Sequence, residues 1–376
     1  GPKDLFDLPV YFGKAQSEPI DLSGYSIEIL AEINHAPRMT DQEIVAMADH
    51  YRRSGADVID LGCIPGETWS RVGEVTKLLV EEGLRVSIDS FDREEVEVAV
   101  SFGAELVLSC NQSNVGWTAQ LDAELVVIPE TPFSITTLEE TVQQLTESGS
   151  RFRIDPILEP IGFGFAASLG RYFEARDRWP DVDIMMGIGN LTELTEVDSA
   201  GMNVVLAGIC EELGVRSVLT TEVINWARSS VREFDLARRL TRHSIQHHSL
   251  PKHVDPQLVV LRDSKLRESG EDVLQALAEK ITDPNYRIFA ERGEIHVMNR
   301  DGYWRGTDPF ELFRRVRSNV KTPLSEGHTF YLGYEVCKAA TALRLGKQYT
   351  QDEELSWGFL SAASEQIDSG RHGTDY

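Results

Sequence analysis

The chain contains no long hydrophobic run: no apolar stretch reaches a dozen residues, against the roughly 20 that a membrane-spanning helix requires. Neither a membrane span nor a signal peptide is expected. Cysteine is scarce. Cys63, Cys110, Cys210 and Cys337 form no CxxC pair and no dense framework, which points to free thiols in a reducing cytoplasm. Positive charge is also short, with 37 Lys and Arg against 61 Asp and Glu for a net charge of −24. Such a surface repels nucleic acid and anionic membranes, and any bound phosphate must be held by local donors. No G-x-G-x-x-G follows the first apolar run, so the dinucleotide-binding first turn is missing. The opening Gly1-Pro2 reads as a protease scar, and the natural chain is expected to begin upstream.

What is present is a regular alternation of short apolar runs and amphipathic stretches. The clearest unit is RVSIDSFDREEVEVAVSFGAELVLSCN, residues 85–111. Val86–Ile88 ends in Asp89, a helix follows with Val96, Val98, Ala99 and Val100 inward, Gly103 stops it, and Leu106–Leu108 runs into Cys110 and Asn111. That is a strand, a crossover helix and a parallel strand. The same pattern places strands at 26–33, 56–61, 124–128, 152–155, 183–186 and 216–220. Helices are expected at 41–54, 69–82, 115–121, 137–148, from the Gly162–Gly164 loop to Trp179, at 200–213, and after the last strand to about Arg242. Thr40 with Glu43 makes a capping box, and Asp41 and Asp198 read as helix caps. Eight strands, each followed by a helix or short crossover, close a (β/α)8 TIM barrel.

The expected organisation is an N-terminal arm at 1–24 with an apolar anchor at 10–12, a barrel at 25–245 and a C-terminal α+β extension at 246–376. The extension shows a strand at 256–261, a helix at 270–281, a hairpin of 286–290 with 295–298, helices at 310–320 and 333–345, and an acidic tail after Ser361. It reads as a cap on the barrel.

Active sites of such barrels lie at the carboxyl ends of the strands. There the sequence offers Asn34, Asp60, Asp89, Asn111, Asp155 and Asn190, then Thr220, Thr221 and Glu222. Buried carboxylates cost several kcal/mol unless hydrogen-bonded, so this set calls for a planar ligand rich in N–H donors. A pterin or purine edge offers an amino group beside a ring N–H, and one carboxylate accepts both. Helix capping is the blander account of Asp89 and Asp155.

GADVIDLGCIPGETW, VSIDSFDREEV, Asn111 and FRIDPILEPIGFGFA resemble the pterin-binding barrel of dihydropteroate synthases and of methyltetrahydrofolate-dependent corrinoid methyltransferases. The likeness is greatest to the dihydropteroate synthase-related proteins of organisms that make tetrahydromethanopterin. It extends into HTFYLGYEVCKAATALRLGKQYTQDEELSWG. The resemblance implies pterin-ring contacts at Asp89, Asn111 and Asp155, and a role for Asn34 near the leaving phosphate or a metal, Mg2+ being the expected ion. Asn34 and Asp89 are the implied catalytic residues, and Asn190, Asp60 and Glu222 complete the substrate-binding set. Asp60 matches a position that is more often structural.

Two departures stand out. Where a synthase carries Ser-Arg-Lys after strand seven, this chain has GIGNLTELT, closer to the Gly-Leu-Ser-Asn loop of the methyltransferases. Where a synthase ends strand eight with Arg-x-His, this chain reads LTTEVINWARSS. Replacement cations for a diphosphate would come from Arg38, Arg71, Arg171 or Arg228, for each of which surface solvation is the competing account. The implied activity is condensation of a 6-hydroxymethyl-dihydropterin diphosphate with an arylamine of the ribofuranosylaminobenzene phosphate type, in tetrahydromethanopterin biosynthesis. Alternatives are pterin-dependent methyl transfer to a corrinoid partner, within one-carbon metabolism, and a non-catalytic pterin-binding subunit. A homodimer through the last barrel helices is implied by the family.

His243, His247, His248 and His253 invite a metal reading, but no Cys or acid lies among them, and basic residues at a helix carboxyl end are favoured by its dipole. Trp69, Trp117 and Trp226 stand near strand ends and suit stacking on a flat ring or packing under the cap. The glycines of EPIGFGF suit a phosphate at a helix start or any tight loop.

Overall fold

The computed structural model describes residues 20–131, 134–252, 254–255, 257–258, 261–263, 265–320 and 324–356. The expected anchor at 10–12 and the tail after Ser361 lie outside these residues, as do His253 and, of the expected strand at 256–261, Pro256, Val259 and Val260. Two compact units are present, Gly1–Val259 and Val260–Tyr376.

The first unit is an eight-stranded parallel barrel. Its strands are β1 (Glu28–Ile33), β2 (Val58–Gly62), β3 (Val86–Asp89), β4 (Leu106–Cys110), β5 (Glu124–Val127), β6 (Phe152–Ile154), β7 (Met185–Gly187) and β8 (Ser217–Thr220). Neighbouring strands pair in the order β6-β5-β4-β3-β2-β1-β8-β7. A parallel bridge between Ile154 and Ile184, with Ile154 N–H donating to Asp183 C=O at 2.9 Å, closes the ring between β6 and β7. The crossovers are α1 (Asp41–Ser54), α2 (Val72–Glu81), α3 (Arg93–Ser101), α4 (Val115–Thr118), α5 (Thr136–Ser148), α6 (Phe165–Arg178), α7 (Gly189–Thr192), α8 (Ser199–Leu213) and α9 (Ser230–Gln246).

Local chemistry accounts for these boundaries. Thr40 Oγ1 accepts from Glu43 N–H while Thr40 N–H donates to Glu43 Oε2, the reciprocal box that starts α1. Asp41 is therefore the first helical residue rather than the cap, and its carboxylate pairs with Arg71. Asp92 caps α3 by accepting from the amides of Glu94 and Glu95, which releases Asp89 from that task. Asp198 occupies the position before α8 without a side-chain cap bond. Helix α9 runs past the expected stop near Arg242 to Gln246.

Strand alternation sorts side chains into an outer and an inner set. Ile29, Ala31 and Ile33 join the outer core beneath the helices. Leu30, Val58, Leu106, Leu108, Val126 and Met185 form a separate cluster inside the barrel. Burying each such side chain contributes roughly 1.5–3 kcal/mol. The inner residues form layers, as packed barrels do. At the amino-terminal end, Arg153 binds Glu124 through two hydrogen bonds of 2.7 and 2.8 Å and reaches Glu28 at 3.2 Å. Arg85 adds a 2.6 Å contact to Glu28. Above this floor lies the aliphatic layer, and above that the mouth.

The second unit holds α10 (Glu271–Lys280), a three-stranded antiparallel sheet of β9 (Arg287–Glu291), β10 (Glu294–Asn299) and β11 (Gly302–Gly306), then α11 (Pro309–Asn319) and α12 (Glu326–Leu345). The expected hairpin is β9 and β10. Strand β11 is an addition that sequence alternation did not reveal, and α12 begins well before the expected Gly333. Ile288, Ile295, Val297, Leu312, Leu332 and Val336 form this unit's own core.

Candidate functional site

Parallel register places inner residues of successive strands at stepped heights. Glu32 pairs with Asp60, Asp60 with Ser87, and Gly62 with Asp89. Glu32, Asp89 and Asp155 thereby surround a cleft of about 370 Å3 at the carboxyl ends of the strands. Asn34, Ser109, Asn190, Glu193 and Thr221 add polar lining, and Leu108, Val126, Ile128, Met185 and Leu219 supply apolar walls. The volume lies at the small end of the roughly 300–1,000 Å3 typical of ligand pockets.

Backbone strain helps shape this rim. His35, Ser109 and Ile157 adopt left-handed conformations with φ of 53°, 71° and 63°, which side chains other than glycine rarely take. At Ile157 the strain is held from both sides. Its N–H donates to Asp155 Oδ1 at 2.8 Å, while Arg171 donates to the carbonyls of Pro156 and Ile157 at 3.0 and 2.6 Å. Asp155 Oδ1 also accepts from Tyr172 Oη at 2.7 Å. Burial raises the Asp155 carboxyl to about 6, opposed by the Tyr172 hydroxyl, the amides of Ile157 and Gly187, and Arg171.

Asp89 accepts from Ser109 Oγ at 3.1 Å, and burial raises its carboxyl above the ordinary range. Glu32 is lifted to about 7 by burial, then by Asp89 and Glu193. Burial also raises Glu193, against a hydrogen bond from Thr221. Burial thus makes all four mouth carboxyls hold a proton more tightly than free carboxyls do.

Of the residues expected from sequence, Asn34, Asp89, Asp155 and Asn190 come together here. Asn190 Nδ2 donates to Leu158 C=O at 2.8 Å. Asp60 lies beneath the cleft, fully buried, with Oδ1 accepting from Ser87 at 2.6 Å and Oδ2 without a partner among the described residues. Asn111 stands aside from the lining: its Oδ1 accepts from Ser113 N–H and Oγ at 2.9 and 2.5 Å, closing the turn into α4. Glu222 faces α1 and α9, bonding His50 at 2.8 Å and Val231 N–H at 3.0 Å.

The alternative residues go elsewhere. Arg38 pairs with Glu67 at 3.5 Å, Arg71 with Asp41, and Arg228 ends the turn Asn225–Ala227. Among the described residues no Lys, Arg or His lines the cleft, and Trp69, Trp117 and Trp226 lie outside it. Trp69 and Trp226 are buried, the latter donating to Thr192 C=O at 2.9 Å. Cys63, Cys110, Cys210 and Cys337 are free thiols. His243 and His247 lie with ring centroids 4.4 Å apart and planes tilted by 41°, and burial followed by His247 lowers the His243 pKa. Among the described residues no three or more His, Cys, Asp or Glu side chains are grouped to hold a metal ion, and none of the described helices is long and apolar enough to cross a membrane. Asn34 supplies one neutral oxygen, and the described side chains around it do not form a resident Mg2+ site.

Sequence reasoning missed Glu32, Glu193 and Ser109. The parity of Glu28, Leu30 and Glu32 was a usable signal for the first. Glu193 is returned to the mouth by the short turn α7, which no periodicity announces.

No family model matches the chain. An uncharacterized protein of Methanocaldococcus jannaschii is 29% identical over 377 residues, covering 88% of this chain and 70% of the relative. Solved structures with a similar backbone include Yersinia pestis DHPS with a pterine-sulfa conjugate, at 15% identity and a TM-score of 0.47 over 61% of this chain and 96% of that one. Dihydropteroate synthase from Xanthomonas albilineans in complex with 7,8-dihydropteroate aligns at 20% identity and a TM-score of 0.45 over 61% and 94%. Dihydropteroate synthase from Thermus thermophilus in complex with 6HMPPP aligns at 19% identity and a TM-score of 0.46 over 61% and 96%.

Proposed function

We propose that the barrel mouth binds a reduced pterin and that the protein is a pterin-dependent transferase of alkyl or aryl groups. The carrying observation is that Asp89 and Asp155, far apart in sequence, line one small cleft together with Asn34 and Asn190. Asp89 has one oxygen on Ser109 and its second available to ring N–H donors. The aliphatic walls suit the faces of a flat bicyclic ring.

The transfer proposed first is condensation of a 6-hydroxymethyl-dihydropterin diphosphate with an arylamine of the ribofuranosylaminobenzene phosphate type, in tetrahydromethanopterin biosynthesis. The site would contribute mainly by positioning the pterin methylene for displacement by the arylamine nitrogen. Asp89 and Asp155 would hold the ring, and Asn34 would face the leaving group. Mg2+ would accompany the substrate and be held by its phosphates.

One observation favours a second transfer. Among the described residues the lining offers no cation for a diphosphate, and it includes Asn190, whose amide would serve a pterin nitrogen. That reading is methyl transfer from a methylated pterin to a corrinoid partner. Titration calorimetry with a dihydropterin in Mg2+ buffer, with and without pyrophosphate, tests the first transfer; pyrophosphate that adds no affinity there rules it out. Mixing methylated pterin with cob(I)alamin and following the cobalt spectrum tests the second. Pterin binding with neither activity would identify a non-catalytic pterin-binding subunit.

We also propose a homodimer through α8 and α9. Val204, Val205, Ile209 and Leu250 line an apolar groove there, with Val205 62% exposed. Sedimentation of the wild type and Val205→Asp tests it, a monomeric wild type being the contrary result.

A further inference from the structure

Glu32 and Glu193 face the cleft beside Asp89 and Asp155, and among the described residues the lining contains no Lys, Arg or His. Both carboxyls lie close against glycine backbone. A Cβ on Gly62 would meet Glu32 Oε1 at 2.5 Å, and one on Gly189 would meet Glu193 Oε1 at 2.9 Å. Beneath them fully buried Asp60 keeps its Oδ2 without a partner among the described residues. Asp60 shares the inward parity of Glu32, its register partner on β1, and feels the charges of Asp89 and Glu32.

The titratable groups facing Glu32 are Asp60, Asp89 and Glu193, together with the Tyr51 hydroxyl, which donates to the Glu32 carbonyl at 3.2 Å. Every one of them becomes more negative on ionising. The carboxyls are not grouped to chelate a single metal ion, so compensation is suited to positive charge spread over a larger ligand. An uncompensated anion placed among them would meet like charge in a poorly solvated space.

We propose that Glu32 and Glu193 select the ligand by charge: the cleft admits a neutral or protonated reduced pterin and excludes one that brings uncompensated phosphate. This rests on the pterin reading and narrows its substrate class. In the condensation, the diphosphate then enters with its charge cancelled by a divalent cation carried on the substrate.

The test is titration calorimetry on the full chain with 6-hydroxymethyl-dihydropterin, its monophosphate and its diphosphate, in metal-free buffer and with Mg2+. Wild type is compared with Glu32→Gln, Glu193→Gln and the double variant, each checked for folding by circular dichroism. Metal-free wild type is expected to bind the unphosphorylated pterin at least about tenfold tighter than either phosphorylated form, the equivalent of one pKa unit of electrostatic discrimination. The double variant is expected to narrow that ratio to about threefold or less, with the single variants intermediate. Equal or tighter metal-free binding of the phosphorylated forms overturns the inference and leaves pterin binding intact. Failure of all three ligands to bind folded wild type overturns both. A ratio unchanged in every folded variant removes the assignment to Glu32 and Glu193.

Discussion

The two ends of the barrel treat the same kind of side chain in opposite ways. At the floor, Glu28 and Glu124 are matched by Arg153, which is nearly buried, and by Arg85. At the mouth, Asp89, Asp155 and Glu193 have hydroxyl or amide partners, but among the described residues no cation lines the cleft beside them or beside Glu32. Burial penalises charge at both ends, so the contrast lies in what answers the penalty. Floor charges are compensated within the fold. Mouth carboxyls have no such cation, and burial raises each of them above its ordinary value.

The largest expected effect breaks the floor. Arg153→Met leaves Glu28 and Glu124 facing each other without their shared guanidinium, and urea unfolding should show a loss of about 3–5 kcal/mol. A loss below about 1 kcal/mol would mean that the floor is as uncompensated as the mouth, ending the contrast.

Next comes the proton dependence of the mouth. Glu32 ionises near 7 in the folded chain against an ordinary value of 4.5, so the native state binds the proton more tightly than the unfolded state. Its contribution to stability is fully present below about pH 4.5 and is lost as pH rises through about 7, a change on the order of 3 kcal/mol. Asp155, raised to about 6, acts in the same sense. Denaturation midpoints between pH 5 and 8 should therefore fall with rising pH, and Glu32→Gln should flatten the slope. A slope unchanged in the variant would place that proton elsewhere.

Asp155→Asn sharpens the contrast from the ligand side. Replacing the carboxylate should weaken pterin binding by about 2 kcal/mol, the value of a charge-assisted pair, read by calorimetry. Unchanged affinity would place the ring away from Asp155. The smallest effect is expected of Asn111→Ala, whose carbonyl oxygen is occupied by Ser113: pterin affinity should change by less than about 0.5 kcal/mol while stability falls by about 1 kcal/mol through the lost turn bonds.

Much of this barrel was legible in sequence because each strand is short, apolar and followed by a helix with its own start signal, Thr40 with Glu43 being the clearest. The acids at strand ends were legible too, since a carboxylate closing an apolar run has few structural uses. The rim was harder to read. On β4 the left-handed Ser109 and a register shift between Val107 and Cys110 interrupt the two-residue alternation. Ser109 therefore reaches the cleft and Asn111 does not. Glu193 was hidden by a similar cause, a single helical turn that reverses the chain. In the second unit β11 escaped notice because Gly302–Gly306 carries little apolar alternation, although Trp304 is buried against the core.

The bare oxygen of Asp60 has a consequence for how the barrel assembles. Burial, then Asp89 and Glu32, hold that carboxyl well above the usual carboxylate range, so the folded chain grips a hydrogen ion there more tightly than the unfolded chain does. Calorimetric unfolding heats should consequently differ between phosphate and Tris buffers of the same pH, in step with the heat each buffer exchanges when it supplies or takes that ion.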